Sequence, residues 1–196
     1  PDWHGEWIDP LRDGHWVAGN DGGCNITYDN GEHWFKANTP SVAQFYSVTV
    51  DDAKPYNVYG GIQDNGVWFG SSKISGSEES EEDDEEVEEQ TDWNVLGGGD
   101  GMQVQVDTRD NKTVYLGSQF GEYQRKKIDG GRGKRIHPMP ELGGTKFRYN
   151  WQTPILLSQF NQDILYMGSN VFFRSMNKGN DMKPLSKDLS NGGKPG

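Results

Sequence analysis

Hydrophobic and polar residues alternate in short runs along the chain, and each run ends in a cluster of turn-forming residues. Residues 46–50 read YSVTV and residues 102–106 read MQVQV, which is the two-residue period of a strand with one buried face. The polar clusters DDAKP and DTRDN follow these runs and favour turns between strands. No segment has a sustained helical period. The pattern therefore predicts an all-β fold.

The same pattern occurs four times. In each copy a second apolar run ends in a small residue before a polar turn: HWVAGNDGG at 15–23, NVYGGIQDNG at 57–66, TVYLGSQFGE at 113–122 and ILYMGSNVFF at 164–173. The strand before it is expected at WIDPLRDG (7–14), YSVTV, MQVQV and ILLSQ (155–159). A repeat of roughly 40–50 residues is typical of a β-propeller blade. We therefore predict four blade units, 1–43, 44–98, 99–150 and 151–196, as part of a larger propeller.

The most specific motif is TYDNGEHW at 27–34, which has the spacing of an Asp-box, a β-hairpin turn. In such a turn we expect Asp29 to accept hydrogen bonds from backbone amides and Gly31 to adopt a conformation that side chains disfavour. Thr27 supplies the hydroxyl of the motif, and Trp34 is expected to pack under the hairpin. Degenerate copies follow at 175–179 (SMNKG) and 129–131 (DGG). These residues are expected to be structural.

Several segments together resemble a known group of proteins. They are DWHGEWIDP, GNDGGCNITYDNGEHW, QFYSVTVDDAKPYNVYGGIQDNGVW, GGGDGM and FRYNWQTPI. They resemble the secreted Asp-box or BNR-repeat β-propeller proteins of bacteria, which are related to sortilin-type propellers and more distantly to xyloglucanase-type glycoside hydrolases. The resemblance implies a propeller fold, further blades and a secreted or cell-surface location. It implies little about chemistry, because one fold supports many functions.

Charge and composition exclude some partners. The net charge is −11, a field that repels a phosphate backbone, so we expect no nucleic-acid partner. The acidity belongs mainly to residues 78–89 (EESEEDDEEVEE), inside a predicted low-complexity insert at 75–90. No apolar stretch is long enough to span a membrane. Cys24 is the only cysteine, so no intrachain disulfide is expected. The chain begins at Pro1 rather than Met, which suggests a processed or truncated product.

Candidate functional residues lie in the loops that a propeller gathers on one face. The predicted ligand-binding residues are Asp21, Gln63, Asp64, Asn65, Asp100, Gln119 and Trp151. Carboxylates, amides and an aromatic ring on one concave face suit a sugar ligand. Asp64 and Asp100 are also candidates for the paired carboxylates of a glycosidase. The alternative is that both are turn residues, because QDNG and GGGDG are rich in turn formers.

The remaining candidates point to no cofactor. The four histidines, at 4, 15, 33 and 137, occupy unrelated positions of the repeat, so we expect no metal centre. Residues 20–23 (NDGG) could bind calcium through oxygen atoms, but no complete calcium-loop spacing accompanies them. Basic residues at 125–127 and 132–135 are interpreted as exposed third and fourth strands, or as a patch opposing the acidic run. The sequence favours a non-catalytic propeller that binds a protein or a glycan, with a glycoside hydrolase as the alternative.

Overall fold

The computed structural model describes residues 2–37, 43–73 and 93–192, and the acidic insert at 75–90 lies outside them. The chain divides into two compact units, Pro1–Val42 and Ala43–Gly196. The fold is all-β, with one four-stranded antiparallel sheet in the first unit and three in the second, as in the blades of a propeller. In the described ranges, no helix is long and apolar enough to cross a membrane.

Each sheet is a meander in which strands follow one another in chain order. The first sheet contains β1 (Trp3–Ile8), β2 (Trp16–Asn20), β3 (Gly23–Thr27) and β4 (Phe35–Lys36). The second contains β5 (Phe45–Val50), β6 (Asn57–Ile62), β7 (Gly66–Ser71) and β8 (Trp93–Gly97). The third contains β9 (Gln105–Val106), β10 (Thr113–Ser118), β11 (Glu122–Lys127) and β12 (Gly130–Arg135). The fourth contains β13 (Ile155–Leu157), β14 (Leu165–Gly168), β15 (Phe172–Ser175) and β16 (Lys183–Pro184).

One turn is closed in the same way in all four sheets. After the first strand, a backbone amide donates to the carbonyl six residues ahead: Asp9 to His15, Asp51 to Asn57, Asp107 to Thr113 and Ser158 to Ile164, at 2.9–3.2 Å. The side chain at that first position also accepts amides inside the turn. Asp51, for example, binds the amides of Ala53 and Asn57 at 3.1 and 2.8 Å. The polar clusters after the predicted strands are therefore turns, and the same backbone hydrogen bond closes each of them.

Three first strands differ from the sequence prediction by two residues or more at one end. The first begins at Trp3 rather than at residue 7. In the third sheet the ladder covers only Gln105–Val106 rather than 102–106, and the side-chain oxygen of Gln103 accepts the amide of Ile155 at 3.0 Å. In the fourth, the strand ends at Leu157 rather than at residue 159, because the hydroxyl of Ser158 starts the turn.

Two apolar clusters join the three sheets of the second unit. One, which includes Tyr59, Val67 and Val114, lies between the second and third sheets. The other, which includes Tyr123, Leu165 and Phe173, lies between the third and fourth sheets. Burial of such aromatic and aliphatic side chains is the main stabilising contribution to this kind of sheet stack. It also fixes the loops at the ends of the strands.

Candidate functional site

The polar turn between β6 and β7 lies against the loop that follows β8. Gly66 donates its amide to the carbonyl of Gly99 at 2.8 Å, and Gly101 donates to the carbonyl of Ile62 at 3.0 Å. A Cβ atom on Gly101 would lie 1.9 Å from the carbonyl oxygen of Gly66, and one on Gly61 would lie 2.0 Å from that of Met102. The two backbones can approach this closely only because these positions are glycine.

Asp100 links three loops at this point. The residue is 8% exposed, and its Oδ1 accepts the backbone amide of Asp64 at 3.0 Å. Its own amide donates to the side-chain oxygen of Gln119 at 3.3 Å. A buried carboxylate needs such partners, because an unpaired one is costly. The structure thus brings Asp64, Asp100 and Gln119 together, with the Asp100 carboxylate holding the neighbouring turn.

Asp64 occupies the turn itself. Its φ angle is +59°, the left-handed region that Asp and Asn tolerate better than most residues, and its side chain is exposed. Gln63 and Asn65 flank it: the amide of Gln63 donates to the carbonyl of Gln44 at 3.0 Å, and the carbonyl of Asn65 accepts the indole NH of Trp68 at 2.6 Å. The turn is therefore rigidly held while the Asp64 carboxylate faces solvent.

An exposed aromatic pair adjoins these loops. The Trp151 and Phe120 rings meet edge to face, with centroids 5.3 Å apart, and the Phe120 amide donates to the Trp151 carbonyl at 3.1 Å. The indole NH of Trp151 donates to the hydroxyl of Tyr46 at 3.1 Å. Trp151 and Phe120 remain 40% and 51% exposed. Phe120 directly follows Gln119, whose side chain accepts the amide of Asp100. The two rings and the Asp100 loop therefore form one continuous surface, which we call the polar-aromatic face.

A cleft of about 380 Å³ lies beside Trp151 and is lined in part by Asn150, Gln152 and Arg148. The Arg148 guanidinium donates to the carboxylate of Asp188 at 2.7 Å. Hydrogen bonds from Ser190, Arg148 and Asn170, in that order of size, lower the pKa of Asp188. Arg148 is thereby neutralised by the chain itself. This disfavours a sialidase-type role, which needs arginines available to a ligand carboxylate.

Asp21 belongs to the first unit. Its carboxylate contacts the Nε2 atom of His4 and accepts the Asp2 amide at 3.3 Å, and these bonds lower its pKa. His4 lies inside β1, because this strand begins at Trp3 and not at residue 7 as the sequence predicted. The contacts of Asp21 join the end of β2 to the start of β1.

The 27–34 turn, in the same unit, holds its predicted residues by local contacts. The Thr27 hydroxyl donates to Asp29 Oδ1 at 2.8 Å and accepts the Gly31 amide at 3.0 Å. Gly31 has a φ of +88°, and the Trp34 ring lies next to it. These side chains close the turn upon itself.

One group of side chains in this turn has the donor types of a metal site. Asp29, Glu32 and His33 offer ligand atoms within 4.8 Å of one another. Both oxygens of Asp29 already have partners, since Oδ1 accepts the His33 amide at 2.9 Å and Oδ2 contacts His33 Nδ1 at 2.6 Å. These bonds lower the pKa of Asp29 to about 2. Hydrogen bonds within the turn are therefore sufficient to explain why Asp29 and His33 lie close together.

Sequence reasoning missed Phe120 and Tyr46 as members of the polar-aromatic face. Phe120 has a φ of +59°, which is rare for an aromatic residue and turns its ring outward. The sequence feature that could have indicated Phe120 is its position in the turn SQFGE (118–122), where a large apolar side chain does not belong to the buried face of a strand. Tyr46 was assigned to an alternating strand, and nothing in that pattern indicates a bond to a residue 105 positions away.

Comparisons with known proteins concern the fold. No family model matches the sequence, and no curated protein matches it. Two solved structures are similar to the chain: an ancestral GH74 enzyme, with a TM-score of 0.49, 13% identity and coverage of 94% of this chain and 24% of that one, and the GH74 enzyme of Niastella koreensis, with a TM-score of 0.47, 15% identity and coverage of 90% and 28%. The chain thus spans about a quarter of the length of these structures.

Proposed function

We propose that the second unit binds a glycan on its polar-aromatic face, and that the chain is a non-catalytic recognition module. The observation that carries the proposal is the bond between the Asp100 carboxylate and the Asp64 amide, next to the exposed rings of Trp151 and Phe120. The carboxylate supports a turn, while the rings and amides remain available to a ligand.

The position of the two carboxylates argues against hydrolysis. A glycosidase needs two carboxyl groups that flank the scissile bond, and the one that acts as the acid has a raised pKa. Asp100 is engaged with the backbone, and Asp64 projects from an exposed turn. The carboxyl groups of the described chain whose pKa values shift all shift downward, Asp51, Asp107 and Glu122 among them. These environments favour the charged form, which cannot donate a proton.

The aromatic pair favours a sugar ligand. An exposed aromatic ring offers a flat apolar surface to a sugar ring, and neighbouring amide and carboxylate groups can bind its hydroxyls. Gln119 and Asn150 lie next to Phe120 and Trp151 in the chain and supply such groups. A face held by backbone hydrogen bonds is also ordered before binding, which reduces the entropy cost.

The proposal includes further blades and a location outside the cytoplasm. The outer face of the fourth sheet carries an apolar groove of about 450 Å³, lined by residues such as Ile155, Tyr166 and Phe172. Large exposed apolar faces commonly pack against another element. We infer that more blades of the same protein, or a partner chain, cover it, as in the secreted Asp-box propellers that the sequence resembles.

Affinity electrophoresis with a soluble β-glucan tests the proposal. We expect Trp151→Ala and Phe120→Ala to weaken retention several-fold, because each change removes a flat apolar surface from the face. Asp64→Asn and Asp100→Asn should have small effects, since an amide keeps the shape and one acceptor. Phe160→Ala, an exposed aromatic in a turn outside the face, is the matched control and should leave retention unchanged.

A reducing-end assay on the same proteins addresses the alternative. The proposal predicts no release of sugar ends by any of them. Turnover by the unmodified protein that is lost by several orders of magnitude in both Asp→Asn variants would identify a glycoside hydrolase instead. Retention unchanged in both aromatic variants would reject the glycan-binding face.

A further inference from the structure

A second surface, separate from the polar-aromatic face, concentrates positive charge. A cleft of about 430 Å³ lies along β11 and β12 and reaches the 175–181 turn of the fourth sheet. Among the residues that the structure describes, the lining includes six cations: Arg125, Lys126, Lys127, Arg132, Lys134 and Lys178. No carboxylate occurs among these described lining residues. We call this surface the basic cleft.

Most of these cations lack a carboxylate partner in the described part of the chain. Lys127 bonds Asp110 at 2.6 Å, and Lys178 lies 3.6 Å from Asp163. The others donate to neutral oxygens or to none: Lys126 to the Leu96 carbonyl at 3.0 Å, Arg125 to the Lys178 carbonyl at 2.6 Å, Lys134 to the Asn180 side chain at 2.6 Å, and Arg132 to no described atom. Within residues 2–37, 43–73 and 93–192, most of the charge of the basic cleft is therefore uncompensated, although the chain as a whole is acidic.

Two of the cations, Arg125 and Lys134, lie side by side on neighbouring strands. Arg125 and Lys134 are direct cross-strand partners, and both donate to the same amide oxygen, Asn180 Oδ1, at 3.4 and 2.6 Å. Like charges directly opposite each other destabilise a strand pair. An anion bound between them would remove this repulsion, which gives the cleft a preference for anionic ligands.

The shape of the cleft selects the kind of anion. β12 is the edge strand of its sheet and pairs only with β11 among the described strands. The space next to Gly130 and Gly131 is open. Arg132 and Lys134 alternate along β12, so their attachment points are about 7 Å apart, the spacing of alternate side chains in another extended strand. A peptide that adds to a sheet edge uses this match of backbone and side-chain spacing.

We propose that the basic cleft binds an extended acidic polypeptide along the edge of β12. The alternate carboxylates of the peptide pair with Arg132, Lys134 and Arg125, and its backbone follows the open edge. A different role for charged residues on an edge strand is to keep other strands away. That role predicts that no peptide binds, so the two are distinguishable.

A synthetic peptide with the sequence EESEEDDEEVEE, residues 78–89 of this chain, is a suitable probe, since it has ten carboxylates and no cation. Its affinity for the full chain is measured by fluorescence anisotropy. A second receptor, the full chain with the acidic residues of 78–89 changed to amides, excludes competition from the same run in cis. We expect binding to at least one of the two receptors, with slower amide exchange at 130–135.

Matched variants locate the binding. Arg132→Gln with Lys134→Gln should weaken it about fivefold to tenfold, as expected for two exposed ion pairs. Lys146→Gln with Lys187→Gln removes the same charge from exposed positions outside the cleft and should have little effect. The all-D form of the peptide, which has equal charge but cannot pair in the same way, should bind several-fold less well.

Three results would overturn the proposal. One is the absence of binding to either receptor. Another is equal loss in the cleft and control variants, which would mean that net charge alone attracts the peptide. The third is equal or tighter binding of a heparin oligosaccharide with no change in exchange at 130–135, which would make the cleft a site for sulfated glycans.

Discussion

Two hairpin turns, one in each unit, use the same chemistry from different sequences. In the turn at 27–34, the Thr27 hydroxyl accepts the amides of Asp29 and Gly31 at 3.3 and 3.0 Å. In the turn at 175–181, the Ser175 hydroxyl accepts the amides two and four residues later, at 3.0 and 2.8 Å. Both hydroxyl residues are fully buried. The position of the hydroxyl is thus what the two turns share.

The turns differ in the origin of the carboxylate. In the first turn Asp29, two residues after Thr27, accepts a hydrogen bond from the Thr27 hydroxyl. In the second turn that position is Asn177, and the hydroxyl donates to Asp181, six residues after Ser175. Asp181 also accepts the Asn177 amide at 3.1 Å. The degenerate copy at 175–179 therefore still has a carboxylate bonded to its hydroxyl. Asp181, further along the chain, supplies it.

The surroundings of the two turns also differ. A Cβ atom on Gly179 would lie 2.8 Å from Ile136 Cγ2, whereas one on Gly31 would have no neighbour closer than 3.7 Å. The second turn is packed against the apolar cluster of the third and fourth sheets. The comparison teaches that local hydrogen bonds set the conformation, while packing sets how much a substitution costs.

Replacement of the turn glycines should give the largest difference. Gly179 and Gly31 have φ angles of +81° and +88°, so alanine strains the backbone at both, at a cost of about 1–2 kcal/mol. Gly179→Ala also forces a methyl group into Ile136, and we expect a total loss of about 2–5 kcal/mol. Urea unfolding with amide exchange at each turn measures this. Equal losses at the two sites would contradict the comparison.

Removal of the hydroxyls should have a smaller effect that is similar in the two turns. Ser175→Ala and Thr27→Val each remove the acceptor of two backbone amides and one of the donors to a carboxylate, which costs about 1–3 kcal/mol. The unfolding free energy of each variant is compared with that of Thr145→Val, an exposed control expected to change by less than about 0.5 kcal/mol. A loss confined to one turn would show that the hydroxyls are not equivalent.

Moving the carboxylate from position 181 to position 177 tests whether the two positions are equivalent in this turn. Asp181→Asn should lower the urea midpoint, because it weakens the acceptor of the Ser175 hydroxyl. Asn177→Asp in the same chain recreates the arrangement of the first turn and should restore part of the loss. If the double variant is no more stable than Asp181→Asn, the two carboxylate positions do not substitute for each other.

The smallest expected effect is on acid stability. Hydrogen bonds from His33 and Thr27 lower the pKa of Asp29 from 3.8 to about 2 in the folded state. The folded pKa lies below the unfolded one, so the stabilising contribution is complete above about pH 4 and is lost as the pH falls through about 2. Asp29→Asn should flatten the dependence of unfolding on pH in this window. The control substitution Asp13→Asn, at an exposed position, should leave the pH dependence of the unfolding free energy unchanged.

The sequence by itself determined the all-β fold and the turns. The alternation in YSVTV and the polar cluster after it reflect contacts within a few residues, such as the Asp51 amide with the Asn57 carbonyl. Interactions this short depend on local propensity and spacing, which a single sequence contains. The four copies strengthened the prediction, because each repeated the same local pattern.

Only the tertiary structure decided which side chains meet across loops and sheets. Trp151 and Tyr46 are bonded, Asp100 holds the turn of Asp64, and Asp181 takes the place of a missing Asp. These contacts join residues from different repeats or from beyond the motif. They depend on how apolar clusters stack the sheets, and that packing is a collective property of many side chains that periodicity along the chain does not specify.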